Sequence, residues 1–383
     1  MSEQTPASVK AWEDFCEQLK AAGAVLARPS TPRDELSQAE GLRKLARMVR
    51  VGLEATLEYA DTRYPEIYQL ITPTTLGEGE TSDARYHQAM IDGRRTYILS
   101  GQRGDAPFIE FTVYAGKIGL DAKSAQVGAL TERELKVDAE GRYELVLSPE
   151  KHAGNWIRTT PEASLIYIRQ YAHDWSRTAG ATFHIREAGV EGLRPNVTLE
   201  QVMTALPRTA DYVARSTAIW AAIVDRARQA PVNRFTPFVE DEPSPEMPTG
   251  HRFSSGHFRL EEDEALEVRF TPADVPYWGM DITNYWFEPI SYPSHRSHVN
   301  NRTAVLEADG SVKVVIAARD PGARNWIDTR DHREGMMMLR WSRTALPVPP
   351  IETRVVKMSP CPCQCGGDSH EPVHETRVVK APS

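Results

Sequence analysis

The chain has 383 residues, a length that suits about two to three domains, and its 40% hydrophobic and 26% charged content is that of a globular protein with a sizeable core. A formal net charge of −8 argues against general nucleic-acid binding, which needs a concentrated basic surface. No apolar run reaches the roughly 18 residues of a membrane span. The opening Met1-Ser-Glu-Gln-Thr-Pro6 has neither the basic start nor the apolar stretch of a secretory signal, so a cytoplasmic location is the default expectation.

Two helices come first. Val9, Trp12, Phe15 and Leu19 recur at helical spacing over residues 8–22. After a break at Pro29–Pro32, a second helix sets Leu42, Leu45, Val49, Leu53 and Leu57 on one face. Arg43, Lys44, Arg47 and Arg50 lie elsewhere around it and read as a solvated side. Cys16, alone in the first helix, is expected as a buried small hydrophobe. From Tyr64 the texture changes to short runs rich in Tyr, Ile, Phe, Thr and Val. Among them are Arg95–Gly101, Phe108–Tyr114, Tyr143–Leu147 and Leu165–Arg169, separated by turn signals. Many short strands at that spacing predict a β-sandwich or jelly roll.

Thr198 and Gln201 form a capping box for a helix running to about Arg228, which Pro207 is expected to kink or split. Pro231–Pro248 reads as a linker or wrapping arm, and a second β-rich stretch runs from Leu266–Phe270 to Met336–Trp341. The organisation expected is N-terminal helices over 1–62, a first β domain over 63–195, a helical segment and Pro-rich linker over 196–250, a second β domain over 251–346, and a mobile Cys-rich tail over 347–383.

The two β regions share a pattern. Asp138–Leu147 and Ala308–Ile316 are each a turn followed by a strand, then a loop holding Asn-Trp-Ile-x-Thr, then a strand ending in Arg. Gly141 to Asn155 spans 155 − 141 = 14 positions and Gly310 to Asn325 spans 325 − 310 = 15. Trp156 to Arg169 spans 169 − 156 = 13 and Trp326 to Arg340 spans 340 − 326 = 14. One-residue slips of this kind are inexpensive changes of loop length, so the pattern implies an internal duplication. Gly154-Asn-Trp-Ile-Arg-Thr-Thr-Pro161 with Leu165–Tyr171, and Asp309-Gly310 with Asp320-Pro-Gly322, Asn325-Trp326 and Asp328-Thr329, resemble the bacterial family called domain of unknown function twelve-fourteen, the companion of domain of unknown function twelve-fifty-four. The resemblance covers roughly residues 85–190 and 255–342. It implies jelly-roll-like domains and brings no established reaction and no accepted catalytic residues. The fold class expected is mainly β with helical additions, as two related jelly-roll-like β-sandwich domains.

The Asn-Trp loop has a structural reading, in which Asn caps a turn and Trp plugs the sandwich end. Its second copy is richer in polar groups. It offers Asp320, Arg324, Asp328, Asp331, His332 and Glu334 where the first has Glu150, Lys151, His152 and Arg158. A ligand site is therefore expected in the second domain or at the junction. Tyr285, Trp286 and Trp326 would line an apolar pocket there, and Arg302, Arg324 and Asn325 would bind a polar or anionic group. His332 is the first choice for general acid/base, with Asp328 orienting it. An alternative is a metal-dependent jelly roll using His295, His298 and His332 with Asp320. In the first domain, Asp174 or Trp175 would either cap a strand or face a ligand.

No dinucleotide fingerprint, phosphate loop or serine elbow is present, and the cofactor stays unknown. The partner expected is a small, partly apolar molecule with a polar or anionic group, with enzyme and binding protein both open. A structural or interaction module is the rival reading, and oligomeric state stays open. Cys361, Cys363 and Cys365 with His370 and His374 resemble a soft-metal tract. Glu-Thr-Arg-Val-Val-Lys occurs at 352–357 and again at 375–380, either as a slippage duplication or as a repeated docking segment.

Overall fold

The computed structural model describes residues 5–76, 79–237, 251–290, 297–342, 344, 346 and 349–358. Nine strands form the first sandwich. One sheet runs in the order β1 (Tyr68–Gln69), β2 (Ala84–Met90), β8 (Ala163–Tyr171), β4 (Phe108–Ala115), β5 (Ala125–Thr131). The other runs β7 (Asn155–Arg158), β6 (Arg142–Ser148), β3 (Tyr97–Gln102), β9 (His184–Glu187). The second sandwich repeats this strand for strand. Its first sheet is β10 (Thr236–Pro237), β11 (His251–Arg259), β17 (Glu334–Ser342), β13 (Tyr277–Thr283), β14 (His298–Asn300). Its second is β16 (Trp326–Asp328), β15 (Val312–Ala317), β12 (Glu264–Phe270), β18 (Glu352–Lys357). The duplication read from spacing is thus a duplication of topology.

Register makes the equivalence exact to the residue. Phe108 lies opposite Tyr171 in the first copy and Tyr277 opposite Ser342 in the second. Arg169 and Arg340, each two positions earlier on its strand, therefore occupy the same place. Alternation along β8 sends Ile166 and Ile168 into a core with Phe111, Val113 and Leu145. Along β17 it sends Met337, Leu339 and Trp341 into the second core with Met280 and Val314. The opposite faces carry Leu165, Tyr167, Arg169 and Tyr171, and Met336, Met338, Arg340 and Ser342. These faces are turned toward one another. The rings of Tyr171 and Tyr277 lie 5.3 Å apart, and Glu110 and His251 meet across the gap.

Three helices, α1 (Ala7–Ala22), α2 (Glu35–Leu53) and α3 (Leu199–Gln229), pack around this junction. The leucine stripe suggested by the sequence is only the flank of the inner face of α2: Leu45, Val49 and Leu53 pack half-buried against core clusters. Ser37, Gly41, Lys44, Arg47, Met48, Val51 and Gly52 are buried, while Leu42 is 62% exposed. Lys44 and Arg47 therefore correct the expectation of a solvated basic side. The Arg47 guanidinium donates to Glu288 Oε1 at 2.8 Å and to the Pro73 carbonyl at 2.8 Å, which lets a charged group sit inside. Cys16 is exposed, not buried, because Phe15 beside it takes the inward position.

The capping box forms as expected. Thr198 Oγ1 accepts from Gln201 N, and Gln201 Oε1 accepts from Thr198 N. Pro207 does not split α3 into two elements. The helix runs unbroken through it, anchored on both sides by buried Ala205, Leu206, Thr209 and Ala210. Beyond residue 347 the chain is not all tail, since β18 completes the second sandwich against β12. No helix among the described residues is long and apolar enough to cross a membrane.

Candidate functional site

The Asn-Trp loops have the same job in both copies. Asn325 Oδ1 accepts from Val305 N at 2.7 Å, and its Nδ2 donates to the carbonyls of Val305 and Lys313. Asn155 makes the matching set with Lys136 N, Lys136 O and Glu144 O. Trp326 Nε1 donates to Ala317 O and Trp156 Nε1 to Ser148 O. Every amide atom of Asn325 is thus spent on backbone, and the Trp326 indole N–H ties its loop to β15.

The other sequence-chosen residues are dispersed. Tyr285 and Trp286 are buried against the helices. Tyr285 donates to Asp225, and Trp286 Nε1 donates to Ser37 O at 2.7 Å beside Gly41, where a Cβ would come within 2.4 Å of the indole ring. Arg302 and Arg324 are exposed. Asp328 Oδ1 caps Arg330 N at 2.7 Å and does not orient His332.

His332 lines a cleft of about 290 Å³ with Glu261, Glu264, Arg319 and Arg333. Its Nε2 faces Glu40 Oε1 at 2.9 Å and its Nδ1 faces Thr329 O at 2.7 Å. Both neighbours are acceptors, an arrangement that favours the ring with both nitrogens protonated, an imidazolium clasping α2 to the second sandwich. Burial opposes the charge, but the Glu40 carboxylate and the Thr329 carbonyl outweigh it and raise the pKa above the usual value. In this arrangement no lone pair is left for a general base.

His298 serves a different carboxylate, Asp83, at 3.0 Å, and His295 lies outside the described residues. No group of three His, Cys, Asp or Glu able to hold a metal occurs among the described residues. The Cys361–His374 tract lies outside them. Asp174 caps Ser176, and Trp175 donates to Asp83 O with Arg85 stacked on its ring.

Unpredicted polar chemistry is concentrated between the sandwiches. Asp83 accepts from Tyr277 Oη at 2.9 Å, His298 Nε2 at 3.0 Å and Asn300 Nδ2 at 3.0 Å. Asp281 accepts from Thr81 Oγ1 at 2.7 Å, Ser82 N at 3.0 Å and Arg340 at 2.9 Å. Glu110 faces His251 Nε2 at 3.3 Å, and Ser342 Oγ meets His251 Nδ1 at 2.9 Å. Burial alone would raise the Glu110 pKa. The His251 hydrogen bond and the Arg169 charge reverse that and hold it at about 2.

This network borders a small cavity of about 110 Å³. Tyr114, Leu165, Tyr167 and Arg169 form its sheet wall, Lys117, Ile118 and Ser124 its loop wall, and Trp220 of α3 its lid. The loop is tightly held. Gly116 and Gly119 adopt φ of 84° and 82°, and Gly119 approaches α3 so closely that a Cβ would meet Ser216 at 3.0 Å. Lys117, only 3% exposed, reaches Gln88 Oε1 at 3.3 Å. Arg169 lies over the Tyr167 ring at 4.4 Å and donates to Tyr114 Oη at 3.3 Å. Arg169 Nη1 and Trp220 Nε1 are buried without a hydrogen-bond acceptor, although Arg169 Nη1 stands 3.5 Å from Glu110.

Fold and junction together define a duplicated β-sandwich protein whose two copies are joined face to face through buried charge. The chain belongs to the family described as Protein of unknown function (DUF1214), whose model matches residues 80–174 and 253–345. It is similar to a crystal structure of a putative uncharacterized protein from Burkholderia cenocepacia. The identity is 31% over 91% of this chain and 96% of that one, with a TM-score of 0.85. A protein from Vibrio parahaemolyticus matches at 12% identity and a TM-score of 0.47 over 91% of this chain and 99% of that one. No curated protein matches the chain at a significant level.

Proposed function

We propose that the protein binds a small, partly apolar carboxylate, or an oxyanion of similar size, in the cavity between the first sandwich and α3. The observation that carries this reading is the pair of buried N–H groups, Arg169 Nη1 and Trp220 Nε1, left without acceptors on residues that line one cavity. A buried donor without a partner costs roughly 1–3 kcal/mol, and an anion is the ligand that relieves it at a guanidinium. Arg169 and Lys117 both line the cavity, and Glu110 stands 3.5 Å from Arg169 Nη1.

Tyr114, Tyr167, Leu165 and Ile118 supply the apolar remainder. A cavity of roughly 150 Å³ takes a benzene ring, so 110 Å³ suits a short branched carboxylate. The rival reading, a module without a ligand, draws on the backbone-only bonding of Asn155 and Asn325, which concerns the loops and leaves this cavity untouched.

Titration calorimetry of the intact protein with isobutyrate, and with isobutanol as its neutral counterpart, tests the reading. Saturable isobutyrate binding, at least tenfold weaker for the alcohol and lost in Arg169→Met, is the expected result. Absence of carboxylate binding, or binding indifferent to Arg169→Met and Lys117→Met, overturns it.

A further inference from the structure

The last strand of the second sandwich is a short basic segment held on an acidic edge. β18 lies antiparallel to β12, with Arg354 opposite Glu267 and Lys357 opposite Glu264. Arg354 donates to Glu267 Oε2 at 2.7 Å, and Lys357 Nζ contacts Asp263 at 2.7 Å and Glu264 at 3.4 Å. Val356 packs beside Ala265, Val315 and Ala317. The ladder hydrogen bonds are blind to sequence, so these side chains select what pairs there. All of them belong to Glu-Thr-Arg-Val-Val-Lys, and the same six residues recur at 375–380, outside the described residues.

We propose that the β12 edge is an exchange site that accepts either hexapeptide of its own chain, with residues 375–380 displacing β18 in the same register. Arg377 would then meet Glu267, and Lys380 would meet Asp263 and Glu264. Reach is ample. β17 ends at Ser342, so the connection has 351 − 342 = 9 residues to the first hexapeptide and 374 − 342 = 32 to the second. Closure probability falls as the three-halves power of loop length, which favours the first segment roughly sevenfold. Flanking contacts add to that bias. Ile351 and Met358 pack onto apolar neighbours, whereas the repeat has His374 and Ala381 in those places. The repeat is therefore the minority occupant, and exchange closes the Cys361–Cys365 tract into a loop between two strands.

Disulfide trapping in the full chain, with Cys16, Cys361, Cys363 and Cys365 replaced by serine, tests the exchange. Directly opposed strand residues lie close enough for a disulfide. Glu267→Cys with Arg354→Cys gives the reference effective concentration in a glutathione redox buffer. Glu267→Cys with Arg377→Cys should form an intramolecular bond at sevenfold or more below that reference. Glu267→Cys with Val378→Cys, which turns the thiol to the other face, should fall at least tenfold lower still. No bond at Arg377→Cys, equal bonding at both positions, or bonds found only between molecules would each overturn the proposal.

Discussion

Arg169 and Arg340 stand at one position of a duplicated fold, and their surroundings have diverged. In the first copy the residue directly opposite Arg169 on β4 is Glu110; in the second it is Gly279. A side chain there would come within 2.3 Å of Tyr277 Oη, which instead reaches across to Asp83. Arg340 accordingly takes Asp281, together with the carbonyl of Gly79 at 2.7 Å, and is fully engaged. Arg169 shares Glu110 with His251 and Thr112 and keeps one N–H unspent. One copy of the arginine locks the junction, and the other faces a cavity. On the binding reading proposed above, divergence after duplication ran opposite to what the polar-rich second Asn-Trp loop suggested.

The largest effect that could break this contrast is at the lock. Arg340→Met leaves Asp281 buried at 1% exposure with its strongest donor gone, an uncompensated charge worth about 3–5 kcal/mol. Urea denaturation should show that loss. A cost under about 1 kcal/mol would mean Arg340 is no more committed than Arg169.

Next come the loop clips. Asn155→Ala and Asn325→Ala each strand backbone groups that a single buried amide now satisfies, for about 2–3 kcal/mol. The two losses should match. A stability-neutral Asn325→Ala that abolished ligand binding would restore the second loop as a site.

Much of this architecture was legible. The spacing from Trp156 to Arg169 and from Trp326 to Arg340 marked both arginines as equivalent before any strand was drawn. The cavity was hidden because its lining comes from three stretches, Tyr114–Ser124, Leu165–Arg169 and Trp220, separated by 165 − 124 = 41 and 220 − 169 = 51 positions. One signal was available. Arg169 alternates with Tyr167 and Tyr171 on a face that in a lone sandwich would be solvated, and a cation framed by aromatics suggests that something covers it. Lys44 and Arg47 were misread for a related reason. Helical periodicity reports apolar faces and has no means of anticipating Glu288, 241 positions downstream of Arg47.

A smaller expected change sharpens the contrast at the cavity itself. Arg169→Met should cost only about 1 kcal/mol, since Glu110 keeps His251 and Thr112. It should remove isobutyrate binding entirely. A loss as large as that of Arg340→Met would place both arginines in the same locking role.

The smallest effect concerns His332, and its sign follows from the raised pKa. Folding favours the imidazolium, so the Glu40–His332 clasp contributes fully below the unfolded value of about 6.5 and fades as pH rises through the higher folded value. The gap in stability between the native chain and His332→Gln should be largest near pH 6 and shrink steadily as pH rises toward 9. His298, held by Asp83, titrates with the same sign. It contributes equally to both proteins and cancels in the difference. A gap that stays constant from pH 6 to 9 would show that the ring is held neutral. One nitrogen would then be free of its proton, and the case for His332 as a general base in the cleft beside Arg319 would reopen.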